Sequence, residues 1–267
     1  MPSRTPEQVM EDILSGKSMW MARGRRAFRN LPTDPHCKLC AVPFGGIGGA
    51  ILGRVGFARF AGNPAICSSC IKGLNRAGVY GAELPVSLLF ADIRGSTGIG
   101  ERMSPAEFRQ YLDRFYKIAS HAILHNDGLV DKFVGDEVIG LFFQGVSGTE
   151  HSRAAVRAAR ALLEEVAKAD ATADGPIPVG AAIHTGEAYV GSTGSDGVVN
   201  DLTALGDVVN TTARLASMAE AGELLVSVEA AEAAELETER AIPRMVEVRG
   251  RSEPLAVHSF RSTAHCR

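Results

Sequence analysis

The sequence lacks the features that define several classes of protein. Its 267 residues include five cysteines and one tryptophan, too few cysteines for a disulfide-stapled secreted scaffold. The longest uncharged apolar stretch, Leu39–Gly53, has 15 residues, whereas a membrane-spanning helix needs about 20. The first thirty residues contain three acidic residues and five arginines where a signal peptide would have an apolar core. These absences predict a cytoplasmic protein without a transmembrane segment.

Charge is distributed unevenly along the chain. Residues 1–80 contain 11 Lys and Arg against 4 Asp and Glu, and the remaining residues contain 17 against 27. The length favours one full domain with a smaller appendage, and the opposite charges predict two modules with different tasks. We predict a basic helical region over residues 1–34, a cysteine module over 35–76 and a main domain over 84–262.

The basic region has the periodicity of one amphipathic helix over residues 6–29. Its apolar side would contain Val9, Ile13, Leu14 and Met21, and its end is basic, with Arg23, Arg25, Arg26 and Arg29. A solvated basic face is the simplest interpretation. Contact with nucleic acid or another anionic surface is the alternative, and charge alone supports it, so we do not expect a nucleic-acid partner.

The cysteine module contains two Cys-x-x-Cys pairs separated by 26 residues. The four cysteines are Cys37, Cys40, Cys67 and Cys70. This spacing is typical of a four-thiolate zinc site. An iron–sulfur cluster also uses thiolates, and unliganded reduced cysteines are a third interpretation. We favour one structural Zn²⁺, because metal binding would supply folding free energy to a module with little core of its own.

The main domain alternates between strand and helix patterns. An apolar run over 85–92 predicts a buried strand, and Ser104 with Glu107 forms a capping box before a long helix. The further elements are strands 129–133 and 137–143, helix 150–168, strands 179–184 and 187–191, helix 207–219, strand 224–228, a short acidic helix over 229–238, and strands near 245–249 and 255–260. This order predicts an α+β fold, a ferredoxin-like βαββαβ sandwich. We expect a largely antiparallel sheet with helices on one face.

Two aspartates stand where strands of this domain end. Asp92 closes the first apolar strand, and Asp136 lies in the turn between the next two strands. A carboxylate at a buried strand end needs a cation, donors or water, and two together would suit Mg²⁺ with phosphate. Ser96 and Thr97 are small enough for backbone N–H groups to approach phosphate oxygens. Two unrelated turn aspartates are the alternative.

Four segments in order resemble the class III adenylyl/guanylyl cyclase catalytic domain. They are Phe90–Thr97, Lys132–Asp136, His184–Glu187 and Val209–Leu215. The resemblance covers about residues 84–262, and it implies the cyclase sandwich fold. It also implies that the ribose 3′-hydroxyl of a nucleoside triphosphate attacks its own α-phosphorus, so that pyrophosphate leaves.

The resemblance assigns roles to individual residues. Asp92 and Asp136 match the aspartates that bind two Mg²⁺ or Mn²⁺ ions, with the Ile93 carbonyl as a further ligand. Asn210 matches the asparagine that orients the ribose. Arg214 matches the arginine that stabilises charge on the α-phosphoryl group.

The same resemblance makes predictions about the nucleotide base of the substrate and about the oligomeric state. Lys132 matches a lysine that contacts adenine, and Thr203 occupies the position of its usual partner, so ATP is favoured over GTP. Arg249 matches a basic residue that contacts the triphosphate. The family shares its sites across a dimer, and this chain carries both sets of residues, which implies a homodimer. As a separate hypothesis, we expect the cysteine module to regulate the enzyme through an unknown partner. The alternatives are a guanylate cyclase, or a metal-binding regulatory or DNA-binding protein with a vestigial cyclase domain.

Overall fold

The computed structural model describes residues 5–28, 35–76, 81–170, 177–193, 201–247 and 253–261. The chain forms two compact units. The first comprises Met1–Pro85, Phe143–Thr149 and Glu187–Gly206, and the second comprises Val86–Phe142, Glu150–Gly186 and Asp207–Arg267. Within the described residues, no helix combines the length and the apolar character that crossing a bilayer requires.

The helices and strands are numbered in chain order. The α-helices are α1 (Pro6–Leu14), α2 (Met19–Phe28), α3 (Gly46–Leu52), α4 (Ser68–Arg76), α5 (Ser96–Gly100), α6 (Pro105–His125), α7 (Gln144–Ser147), α8 (His151–Asp170), α9 (Asp207–Met218) and α10 (Val228–Ala233). A π-helical turn, Gly53–Phe57, follows α3 directly. The strands are β1 (Gly81–Ile93), β2 (Leu129–Val134), β3 (Glu137–Phe143), β4 (Val179–Thr193), β5 (Asp201–Leu205), β6 (Glu223–Ser227), β7 (Ile242–Val246) and β8 (Leu255–Arg261).

The strands form a mixed sheet with the order β2-β3-β1-β4-β6-β8-β7, and β5 pairs with β4. The chain order β1-α6-β2-β3-α8-β4 with spatial order β2-β3-β1-β4 is the ferredoxin-like arrangement. The β2/β3, β6/β8 and β7/β8 pairs are antiparallel, whereas β4 and β6 are parallel. The predicted α+β fold class is therefore confirmed.

Helices cover both faces of this sheet, which corrects the prediction of a single helical face. Helices α6, α8 and α10 pack on one face, where Leu89 and Ile183 of the sheet share a buried core with Phe115 of α6 and Leu162 of α8. Helix α9 packs on the other face. A Cβ at Gly180 would lie 2.6 Å from the Ala219 carbonyl oxygen just after α9, so glycine permits this close approach.

Strand β4 runs unbroken where the sequence predicted two strands separated by a turn at Gly186. The φ angle of Gly186 is not positive, and a Cβ there would lie 3.4 Å from Cγ2 of Val208 in α9. The glycine serves helix packing rather than a turn. Strand β5 occupies part of a segment predicted as a loop, and it pairs with the Tyr189–Thr193 portion of β4.

The predicted single helix over residues 6–29 is wrong, because the chain forms α1 and α2 with a break between them. Gly16 adopts φ +71° immediately after Ser15, a left-handed conformation that commonly ends a helix. At the other end of α1, Thr5 and Gln8 form a reciprocal capping box. Local backbone signals therefore outweigh the continuous apolar periodicity in this region.

Candidate active site and metal centre

The turns that carry Asp92 and Asp136 are joined by a backbone hydrogen bond. The N–H of Ile93, at the end of β1, donates to the Asp136 carbonyl at 3.2 Å. Asp136 lies in the two-residue turn of the β2/β3 hairpin, where Gly135 has φ +61°. Left-handed glycine is typical of such tight hairpin turns. The structure therefore brings together the two aspartates that the sequence singled out.

Three carboxylates crowd this end of the sheet. The pKa of Asp92 is raised to about 6, mainly because the carboxyl is partly buried and also because of the nearby Asp136 carboxylate, while Arg94 opposes the rise. Burial also raises the pKa of Glu137 to about 7, with repulsion from Asp92 and Asp136 adding to it. A divalent cation would offset this repulsion, and carboxylate oxygens with a backbone carbonyl are ligands that Mg²⁺ accepts. The residues present therefore fit a bound metal ion.

Arg94 is a member of this site that the sequence did not predict as a functional residue. Its guanidinium forms an ion pair with the Asp92 carboxylate, and its Nε donates to the Asp92 carbonyl at 3.3 Å. Its Nη1 donates to the Ser217 carbonyl at 3.0 Å, near the end of α9. Arg94 is thus a counter-charge for Asp92 and a link from the carboxylates to α9.

Tyr116 on α6 supports the turn that carries Asp136. Its hydroxyl donates to the Gly135 carbonyl, and its ring lies 4.4 Å from the ring of Phe133, measured between centroids. Burial raises the pKa of this tyrosine, so the hydroxyl keeps its proton for the hydrogen bond. A tyrosine on a helix has no distinguishing sequence pattern, and only the fold reveals this contact.

Asn210 and Arg214 lie four residues apart on α9 and so share a side of that helix. Asn210 is exposed and Arg214 is half-buried. Within the described residues, neither side chain has a hydrogen bond or ion pair. The side chains of the predicted ribose-orienting and charge-stabilising residues therefore have no partner among the described residues.

The remaining predicted substrate residues occupy several elements. Lys132 lies on β2 with its Nζ 3.4 Å from the Asp131 carboxylate and its side chain 41% exposed. Thr203, predicted in a loop, is buried on β5 opposite Gly191. Ser96 and Thr97 form the first turn of α5. Arg249 lies outside the described residues.

The four cysteine sulfurs converge in a buried cluster. All four Sγ atoms lie within 4.8 Å of one another. The Sγ atoms of Cys37 and Cys70 are 3.9 Å apart, and those of Cys40 and Cys67 are 3.7 Å apart. Thiolates at the corners of a tetrahedral zinc site with Zn–S bonds of about 2.3 Å lie about 3.8 Å apart. The cluster therefore has the dimensions of a site for one metal ion.

Local backbone structure positions these sulfurs. Cys37 and Cys40 flank a tight turn in which the Cys37 N–H donates to the Val42 carbonyl at 2.8 Å. Cys67 and Cys70 lie at the start of α4, and the Cys67 N–H donates to the Cys37 sulfur at 3.2 Å. Hydrogen bonding with the neighbouring sulfurs, that of Cys40 first, lowers the pKa of Cys37, whereas hydrogen bonding with Cys37 and burial raise the pKa of Cys70. The four sulfurs can all be thiolates only when a cation offsets their charge.

Arg25 of α2 anchors the basic region to the cysteine module. Its Nε donates to the Leu39 carbonyl at 2.9 Å and its Nη2 donates to the Lys38 carbonyl at 3.3 Å, both inside the first Cys-x-x-Cys pair. Its Nη2 also donates to the Gly145 carbonyl in α7. The sequence predicted a solvated basic face at this end of the helix, which is wrong for Arg25.

The sheet is ferredoxin-like, with aspartates at the end of β1 and in the β2/β3 turn and with Asn and Arg on a later helix. Together these features define a nucleotide cyclase catalytic domain. The family described as "Adenylate and Guanylate cyclase catalytic domain" matches residues 81–260. The chain belongs to this family.

Solved structures and curated relatives agree with this assignment. The adenylyl cyclase CyaB from P. aeruginosa is 28% identical with a TM-score of 0.59, and the match covers 67% of this chain and 95% of that one. The guanylyl cyclase Cya2 is 26% identical with a TM-score of 0.59, and that match covers 70% and 98% of the two chains.

An adenylate cyclase of Anabaena cylindrica is 28% identical over 216 residues, which are 77% of this chain and 43% of that protein. An uncharacterized protein of Mycobacterium tuberculosis (strain ATCC 25618 / H37Rv) is 31% identical over 185 residues, which are 67% of this chain and 33% of that protein. The chain thus spans less than half the length of both curated relatives.

Proposed function

We propose that the protein is an adenylate cyclase that converts ATP to 3′,5′-cyclic AMP and pyrophosphate in cyclic-nucleotide signalling. The observation that carries this proposal is the carboxylate site, in which Asp92 and Asp136 are held together by the Ile93–Asp136 hydrogen bond. The raised pKa of Asp92 and that of Glu137 mark a place where negative charge is concentrated before any cation binds. Such a place suits a triphosphate that arrives with divalent metal ions.

The residues divide the work of an in-line displacement. Asp92, Asp136 and the Ile93 carbonyl would hold two Mg²⁺ or Mn²⁺ ions, which when bound activate the attacking hydroxyl and neutralise phosphate charge. Asn210 would orient the ribose, and Arg214 would stabilise charge on the α-phosphoryl group. Backbone N–H groups at Ser96 and Thr97, together with Arg249, would contact the triphosphate.

We propose that two copies of the chain form a homodimer that shares its active sites. The exposed Asn210 and the half-buried Arg214 have no side-chain partner within the described residues, while the carboxylates are tied together elsewhere in the unit. The absence of partners for these two side chains within the described residues supports a site completed across a two-fold axis, in which one copy supplies the carboxylates and the other supplies the α9 residues.

Adenine is the proposed base because of Lys132 and Thr203. The Lys132 side chain is 41% exposed, with its ammonium beside Asp131. The ammonium can donate to a ring nitrogen, and a threonine hydroxyl can accept from an amino group. A guanylate cyclase is the second candidate, because the chain is 26% identical to the guanylyl cyclase Cya2.

Product analysis tests the proposal. Purified protein is incubated with ATP and with GTP in parallel, each with Mg²⁺ or Mn²⁺, and the cyclic products are separated and quantified. We expect cyclic AMP to form much faster than cyclic GMP. Equal rates would overturn the roles given to Lys132 and Thr203, and no product from either nucleotide would favour a vestigial cyclase domain.

We also propose that the four cysteines hold one structural Zn²⁺, in a module that regulates the enzyme through a partner. The sulfur separations of 3.7 and 3.9 Å support one ion, because an iron–sulfur cluster would spread its thiolates over several irons. Metal analysis of the purified protein should give one zinc per chain. Iron with acid-labile sulfide would contradict the assignment.

A further inference from the structure

Three large apolar side chains project from the cysteine module. Ile47 and Ile51 of α3 and Val55 of the π-helical turn are 82%, 56% and 66% exposed. They are spaced four residues apart along the chain, and we refer to them together as the apolar ridge. Isolated exposed apolar residues are ordinary, but a cluster of aliphatic side chains on one short segment marks an interaction surface.

The backbone that carries the ridge packs against neighbouring segments of the module. A Cβ at Gly49 would lie 2.5 Å from the carbonyl carbon of Phe44, so α3 sits directly against the chain that precedes it. Helix α4, which carries Cys70, packs against the π-helical turn. The exposure of the ridge is therefore a property of the folded module.

The segment that contains the ridge has an excess of positive charge. Residues 35–80 contain five Lys and Arg and no Asp or Glu. Arg54 is exposed and lies in sequence between Ile51 and Val55. Exposed Arg59 places its guanidinium carbon 5.1 Å from the centre of the Phe44 ring, at the base of α3. Apolar side chains suit the acyl-chain region of an anionic lipid surface, and flanking cations without acidic residues suit its negatively charged headgroups.

We propose that the apolar ridge docks the protein on an anionic lipid surface. Ile47, Ile51 and Val55 would enter the boundary of the acyl chains, while Arg54 and Arg59 face the lipid phosphates. Nucleic acid fits less well, because its interfaces are polar and wet. A protein partner also fits less well, since the centre of such interfaces is enriched in aromatic residues, and the ridge presents none.

Vesicle sedimentation with the full chain tests this proposal. The probes are vesicles of phosphatidylcholine alone and of phosphatidylcholine with phosphatidylserine. We expect binding to the anionic vesicles that weakens as salt is raised. Combining Ile47→Ser, Ile51→Ser and Val55→Ser should reduce partitioning by at least about tenfold, and Arg54→Gln should reduce it by about fivefold.

A matched control separates the ridge from general hydrophobicity. Ile242 is 57% exposed, nearly the same as Ile51, but lies on β7, so Ile242→Ser should leave partitioning unchanged. Unchanged zinc content in every variant shows that the module is folded.

Three outcomes would overturn the proposal. They are equal binding to neutral and anionic vesicles, self-association without vesicle binding that the triple variant abolishes, and binding to nucleic acid alone that the triple variant leaves unchanged.

Discussion

The carboxylate site and the cysteine site both concentrate like charges, but they differ in what offsets them. Asp92 has Arg94 as a counter-charge supplied by the chain, and its side chain remains 24% exposed to water. The four cysteines are at most 3% exposed, and their sulfurs are surrounded mainly by one another. From this difference we expect the carboxylate site to form without metal ions and the cysteine site to require one.

The largest expected effect is therefore loss of the cysteine module when its metal is removed. Structural zinc contributes apparent binding free energy of about 10 kcal/mol or more in small modules. A strong zinc chelator, or Cys67→Ser, should abolish amide-exchange protection in α4 while the strands around Asp92 keep theirs. Ser69→Ala, inside the same Cys-x-x-Cys pair, is the control and should retain zinc. Protection in α4 that survives complete removal of zinc would contradict the expectation that the cysteine module needs a metal ion to fold.

Neutralising a carboxylate of the carboxylate site should abolish activity but leave the fold intact, in contrast to metal removal from the cysteine site. Asp136→Asn removes a proposed metal ligand, and the lost charge stabilisation of several kcal/mol corresponds to at least about a thousandfold lower rate of cyclisation. Asp113→Asn, at an exposed pair with Arg109, should change the rate little. An Asp136→Asn protein with a near-normal rate would remove this residue from the mechanism.

Arg25 gives a smaller effect that is confined to the first unit. Arg25→Ala removes its side-chain hydrogen bonds to Lys38, Leu39 and Gly145, which should cost about 2 kcal/mol of local stability. Hydrogen exchange at residues 37–42 measures this cost. Arg26→Ala, at an exposed neighbour, should have no comparable effect, and equal effects of the two substitutions would show that the anchor is unimportant.

The smallest effect concerns pH. Because the pKa of Asp92 in the folded protein is raised to about 6, the folded state binds a proton more tightly than the unfolded state. Asp92 alone should cost metal-free protein about 1–2 kcal/mol of stability as the pH rises from 4 to 7, and the raised pKa of Glu137 adds a loss of the same sign. Asp92→Asn should reduce this loss, as should saturating Mg²⁺. If the stability of the metal-free protein rises between pH 4 and pH 7, the account in which neighbouring carboxylates and burial raise the pKa of Asp92 is contradicted.

The sequence predicts some residues of these sites and not others. The cysteines follow a metal-ligand spacing that local chemistry explains. Strand patterns place Asp92 and Asp136 at strand ends, but their assignment to one site depends on the resemblance of four segments to a family. The contacts of Arg94 and Tyr116 depend on where α9 and α6 pack, which no local pattern encodes. Gly186 shows the same limit, because a glycine required for helix packing has the same sequence signature as one required for a turn.

The central claim is that two chains combine their carboxylates and their α9 residues in shared active sites. Asp92→Ala and Arg214→Ala should each be inactive as separate, folded dimers. After the two variants are mixed and allowed to exchange subunits, the rate should recover to about one quarter of that of the unmodified protein, because half of the dimers are mixed and each has one intact site. No recovery, with mixed dimers demonstrated, would contradict the shared-site account.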